Sequence, residues 1–194
     1  MTELKFTKVT EIYAQDICQK LELSDEATQL LTQDLSPAAY LEKLIAEELF
    51  PDAVRFLAMA LPKREGTWWA CLAARHTLPK NADAREIAAI EAAETWVYRP
   101  SEANRQLTQA VAEATEFKTA AGWAAIAAFW SGGSISPVPD VMVPPPEDLT
   151  AKAVGGAIML AAASGDPAKI NSHYQVFLQQ GLNIACGGDG RSVL

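Results

Sequence analysis

The chain has 194 residues, 49% of them apolar, and a formal charge of −8 from 16 lysines and arginines against 24 aspartates and glutamates. That length and composition fit one domain with one substantial core. The acidic balance argues against nucleic acid or an anionic membrane as partner, since both call for a basic face. A basic or neutral protein partner is better tolerated, and the charge also keeps a compact protein soluble.

The residue pattern predicts helices almost throughout. A first helix is expected over residues 10–21. Ser24, followed by Asp25 and Glu26, is a good N-cap for a second. Ser36-Pro37 pairs an N-cap with proline at the first helical position. The third helix carries Tyr40, Leu41, Leu44, Ile45 and Leu49 at helical spacing. Pro51 opens the fourth, and Pro62 ends it because helix is disfavoured before proline. Residues 63–67 read as a connector into a Trp68-Trp69 helix that ends near His76. Asn81 or Asp83 caps a sixth helix. The seventh spans 101–115, the eighth 119–130, and a ninth about 148–164. Asp166-Pro167 starts the last, which Gly181 ends or kinks.

One phrase occurs twice. Trp69-Ala-Cys-Leu-Ala-Ala74 returns as Trp123-Ala-Ala-Ile-Ala-Ala128, with a weaker echo at 157–162. Each copy follows an apolar helix and a break, which is the mark of duplicated helical hairpins. The small residues fall one turn apart and let helix axes approach closely. The fold class expected is all-α: a single-domain bundle of about ten helices with HEAT-like duplicated hairpins. An extra helix between the copies favours a globular bundle over an open solenoid. One domain is expected over 1–194.

Two segments lack helical pattern. Residues 131–146 contain Pro137, Pro139, Pro144, Pro145 and Pro146, and proline at this density favours extended chain. This connection is either a strap that buries Val138, Val141, Met142 and Val143, or a partner-binding or mobile loop. Gly187-Gly188-Asp189-Gly190 reads as a short loose tail.

Catalytic and metal-binding patterns are sparse. The only histidines are His76 and His173, in no HxxxH or HExxH spacing, so no metal or cofactor is expected. No phosphate-binding loop or nucleophile elbow occurs, and the terminal glycines follow no strand. Cys18, Cys71 and Cys186 are odd in number and form no CxxC pair, which fits a reducing cytoplasm. The amino terminus has no apolar signal core, and no apolar run reaches the length of a membrane span. Cys71 in its alanine run reads as structural rather than as the partner of His76.

The strongest polar–aromatic cluster is Lys63-Arg64-Glu65 before Trp68-Trp69. Adjacent helical residues point about 100° apart. One tryptophan therefore enters the core, and the other covers a groove where Arg64 can stack on it. Trp and Arg dominate interaction hot spots. The candidate partner-binding residues are Lys63, Arg64, Trp68, Arg55 and Arg105, the last two placed alike before the two copies.

The stretch 51–71, Pro-Asp-Ala-Val-Arg-Phe-Leu-Ala-Met-Ala-Leu-Pro-Lys-Arg-Glu-Gly-Thr-Trp-Trp-Ala-Cys, resembles the core motif of an uncharacterised family of small helical proteins in Gram-negative bacteria. The Trp123 segment with Ser131-Gly132-Gly133-Ser134, and the Gly-rich end near Cys186, are similar as well. The resemblance covers most of the chain and carries no catalytic residues. It implies an accessory, adaptor or chaperone role near type VI secretion genes, with a secretion component or effector as partner.

Two functions are thus expected. The first is a non-enzymatic cytoplasmic protein-interaction module. The alternative is an enzyme or small-molecule-binding protein with Arg55, Arg64, His76 and Arg105 converging on a pocket between the hairpins.

Overall fold

Serine, threonine and aspartate side chains start half of the α-helices. A computed structural model describes residues 5–138 and 140–191. Among these it contains no strand and ten α-helices: α1 (Ala14–Cys18), α2 (Asp25–Leu30), α3 (Pro37–Ala46), α4 (Phe50–Ala60), α5 (Lys63–Thr77), α6 (Ala84–Tyr98), α7 (Glu102–Ala114), α8 (Ala120–Phe129), α9 (Leu149–Ala163) and α10 (Ile170–Ala185). A 3-10 turn, Pro167–Lys169, leads into α10. Ser24, Ser36, Asp83, Ser101 and Thr119 each accept a hydrogen bond from a backbone N–H two or three residues on. That satisfies donors which a helix start otherwise leaves open.

Three boundaries differ from the sequence pattern. α1 is only Ala14–Cys18 and has no side-chain cap. α5 begins at Lys63 with Pro62 as its N-cap residue, so Lys63-Arg64-Glu65 is a helical first turn and not a connector. Gly66 does not break it, because its N–H donates to the Pro62 carbonyl at 2.9 Å. α10 runs through Gly181 without interruption.

The all-α single-domain expectation holds, with α5, α8 and α9 packed against one another at the centre. α8 is buried on every side, from Ala121 to Phe129 except for part of Trp123. A helix that is apolar all round belongs in such a position. Its neighbours α5, α6, α7 and α9 surround it. Alanine is the commonest contact: Ala70, Ala73 and Ala74 on α5, Ala124, Ala125, Ala127 and Ala128 on α8, and Ala153, Ala157 and Ala161 on α9 are all buried. Large side chains fill the space beside these close contacts.

The two repeated tryptophans play one structural part. Trp69 is fully buried and its indole N–H donates to the Phe177 carbonyl at 2.7 Å. Its ring lies where a Cβ on Gly181 would come within 2.9 Å. Trp123 donates to the Phe117 carbonyl at 2.8 Å and lies as closely over Gly156 of α9. Each copy thus sets an indole against a glycine on a neighbouring helix. The packing around them differs. α7 and α8 form a packed hairpin, whereas α4 turns away at Pro62 and packs on α3, α9 and α10.

Candidate functional site

Lys63 and Arg105 meet at one place, the C-terminal end of α8. A helix end leaves carbonyls without intrahelical partners, and here they are buried or half-buried in the bundle. Arg105, only 3% exposed, donates to the carbonyls of Phe129 and Ser134. Thr150 Oγ1 donates to the Trp130 carbonyl at 2.9 Å, and Lys63 Nζ to that of Ser131 at 3.1 Å. Arg105 is further held by Glu102 at 2.6 Å and lies over the Phe129 ring. These two cations cap α8.

Arg55 stands elsewhere. It pairs at 3.2 Å with the buried Asp52, whose carboxylate also accepts from the Ser24 hydroxyl and N–H. Beside it a groove of about 900 Å³ runs between residues 19–24 and α9, with Met59, Trp123 and Met159 along it. The cations of this groove are already neutralised: Lys20 by Glu147, Arg55 by Asp52 and Lys152 by Asp148. His76 lies on a third face, against His173 and Phe177. Arg55, Arg64, His76 and Arg105 therefore do not converge on a shared pocket.

Arg64 and Trp68 do come together. Trp68 is half-buried, one position from the buried Trp69, as the 100° rotation requires. It lines a pocket of about 290 Å³ with Arg64, Tyr98 and Arg191. The cation over Trp68 is not Arg64 but Arg191, whose guanidinium carbon lies 4.8 Å from the ring centroid. Arg64 instead donates from Nε to the Val97 carbonyl at 2.6 Å, near the end of α6. Arg191 also donates to the Tyr98 hydroxyl at 2.6 Å, and Tyr98 lies 5.6 Å from Trp68, centroid to centroid.

The C-terminal glycines build the far wall of this pocket, and through Arg191 they are not loose. The Trp68 indole N–H donates to the Asp189 carbonyl at 2.7 Å. Gly190 is buried, and its N–H donates to Asn183 Oδ1 at 2.8 Å. Tyr98 and Arg191 were not visible as site residues in the sequence. They lie 30 and 123 positions beyond Trp68, and no local pattern links them to it.

The proline-rich connection is not a buried strap over the bundle. Val138, Val141, Met142 and Val143 are all exposed, Met142 by 72%. The Ser134 hydroxyl donates to the Val141 carbonyl and accepts from the Val143 N–H, each at 3.0 Å. Ile135 N–H donates to the Val143 carbonyl at 2.9 Å. These bonds satisfy the backbone locally, so the apolar side chains need not turn inward. Pro139 lies outside the described residues.

Among the described residues no three His, Cys, Asp or Glu side chains cluster as metal ligands. No described helix is long and apolar enough to cross a membrane. Burial pushes the Cys71 thiol far above its ordinary range, which fits a structural residue.

A family model described as "Family of unknown function (DUF6931)" matches residues 40–185. The chain belongs to that family. The DUF6931 match takes in Arg64, Trp68 and Tyr98 and stops short of Asp189 and Arg191. No curated protein and no solved structure matches the chain.

Proposed function

We propose that this protein is a non-enzymatic interaction module that binds a protein partner at the Trp68 surface. One observation carries the reading. Two guanidiniums, Arg64 and Arg191, share a pocket with an accessible indole and phenol, and neither pairs with a carboxylate among the described residues. Trp, Tyr and Arg are the residues in which binding energy concentrates at protein interfaces. Tyr98 is 57% exposed, so its ring and hydroxyl offer a partner a large amphipathic contact beside the two guanidiniums.

The surface is held from behind. Lys63 and Arg105 cap α8, and Arg64 itself ties the first turn of α5 to the end of α6. A rigid base lowers the ordering cost of binding. A cytoplasmic adaptor, chaperone or accessory role in type VI secretion is the specific form of this proposal. It is supported by the resemblance of the 51–71 motif alone.

The test is affinity purification of the tagged full-length protein at native expression level, beside Trp68→Ala and Tyr98→Ala variants with matched melting curves. The reading expects a defined partner with the wild type that both variants lose. Identical profiles from all three proteins contradict it.

A further inference from the structure

The charge distribution around Trp68 says what kind of partner segment fits. The chain has seven arginines among 24 acidic residues. Arg55, Arg75, Arg85 and Arg105 each pair with a carboxylate. Among the described residues Arg64, Arg99 and Arg191 do not, and two of these three line the same pocket. The acids at that pocket are engaged locally. Glu65 pairs with Lys8 at 3.3 Å, and the Asp189 carboxylate accepts the Arg191 backbone N–H at 2.9 Å.

Each guanidinium is oriented by one edge and open along another. Arg64 uses Nε on the Val97 carbonyl, and Arg191 uses one Nη on Tyr98. The remaining donors of both have no acceptor among the described residues. Such a planar fork matches a carboxylate, with two parallel N–H···O bonds. A cationic ligand would have to compete with Arg191 for the face of Trp68. A volume of about 290 Å³ holds one or two side chains rather than a whole helix.

We infer that the occupant of the Trp68 pocket is a short acidic peptide segment of the partner, its carboxylate held by Arg64 and Arg191 beside Trp68 and an adjacent apolar side chain resting on the exposed ring of Tyr98. This rests on the reading of that pocket as an interaction surface. The overall charge of −8 does not forbid it, because charges beyond about 8 Å are largely screened at physiological salt. The sequence-level expectation of a basic or neutral partner is thereby narrowed: a partner neutral overall presents a local acidic segment.

The test is a nuclear magnetic resonance titration of the full chain, following the Trp68 indole N–H and the side-chain N–H signals of Arg64 and Arg191. The ligands are a capped Glu-Glu-Leu-Glu-Glu peptide, its Gln-Gln-Leu-Gln-Gln counterpart and inorganic phosphate. The proposal expects saturable shifts at all three residues with the glutamate peptide. It expects binding weaker by about tenfold or more for the glutamine peptide and for the Arg64→Gln/Arg191→Gln protein. Both arginines are exposed, but the double variant also loses the bonds to Val97 and Tyr98, so its binding is compared only where its melting curve and its Trp68 signal match the wild type. Equal binding of the glutamine peptide, undiminished binding by the double variant, shifts absent at Trp68, or phosphate matching the peptide would each overturn it. If Trp68→Ala loses the cellular partner while the glutamate peptide leaves Trp68 unmoved, the interaction surface stands and its acidic ligand falls.

Discussion

Trp123 lies so close over Gly156 that a Cβ on that glycine would stand 2.9 Å from Cε3 of the indole, whereas a Cβ on Gly155 would meet nothing within 4 Å. Neighbouring glycines in one helix therefore have opposite meanings. Gly155→Ala gains helix propensity of roughly 0.5–1 kcal/mol with no clash. Gly156→Ala forces the indole aside, and overpacking of this kind costs about 1–3 kcal/mol. Thermal unfolding of the two variants is expected to shift in opposite directions from the wild type.

Arg105 acts on stability. Arg105→Met leaves the buried carbonyl of Phe129 and the half-buried one of Ser134 without these donors, and a buried group so orphaned costs roughly 1–3 kcal/mol. Glu102→Gln costs far less, since the Glu102 side chain is 61% exposed. Denaturant unfolding of the two variants measures the difference.

Glu102 also sets a pH response. Hydrogen bonds from Arg105 and then Gln106 pull its carboxyl down from 4.5 to about 2. A folded value below the unfolded one means that its contribution is complete above pH 4.5 and disappears as pH falls toward 2. The effect is small because the group is largely solvated. Melting curves across this range are expected to fall more steeply for the wild type than for Glu102→Gln.

His76 gives a second, separate response. Burial lowers its pKa first, and the neighbouring His173 lowers it further. The neutral form is thus favoured in the folded chain. Its contribution is present above the ordinary value of 6.5 and is lost as pH falls through the lower folded value. Following the His76 ring signals by nuclear magnetic resonance is expected to show a midpoint below 6.5 that rises in His173→Gln.

The three thiols are expected to react in a set order. Cys71 is fully buried, and burial raises it far out of range. Burial pushes Cys18 up to about 11. Cys186 is only partly covered and raised by burial alone. Alkylation of the native protein at mild alkaline pH, mapped by peptide mass, is expected to label Cys186 first and Cys71 only on unfolding. Early labelling of Cys71 would contradict its place in the core.

Local chemistry was readable in the sequence because it acts over three or four residues. Ser24 and Ser36 cap the helices that they precede, Asp83 rather than Asn81 caps α6, and Pro62 separates α4 from α5. The Trp-Ala phrase located the central helices, since a buried helix writes its small contacts into its own residues. The charged run Lys63-Arg64-Glu65 misleads as a connector because its partners are distant: Ser131, Val97 and Lys8 take up its polar groups. The apolar loop misleads in the other direction. Valine and methionine suggest burial, yet the Ser134 hydroxyl closes the turn on itself and leaves them outside. The Trp68 pocket was half legible. Arg64 and Trp68 lie one helical turn apart, but Tyr98 and Arg191 reach them only through the tertiary fold.

On the proposed function, the Trp68 pocket, and not the rest of the surface, meets the partner. A photo-crosslinking amino acid placed at Tyr98 tests it in the cell, with Leu107 as the comparison because it is 64% exposed and outside the pocket. One discrete crosslinked product is expected from position 98, absent from position 107 and lost when Trp68 is changed to alanine. Equal crosslinking from both positions, or a product at 98 that survives the loss of Trp68, would contradict it.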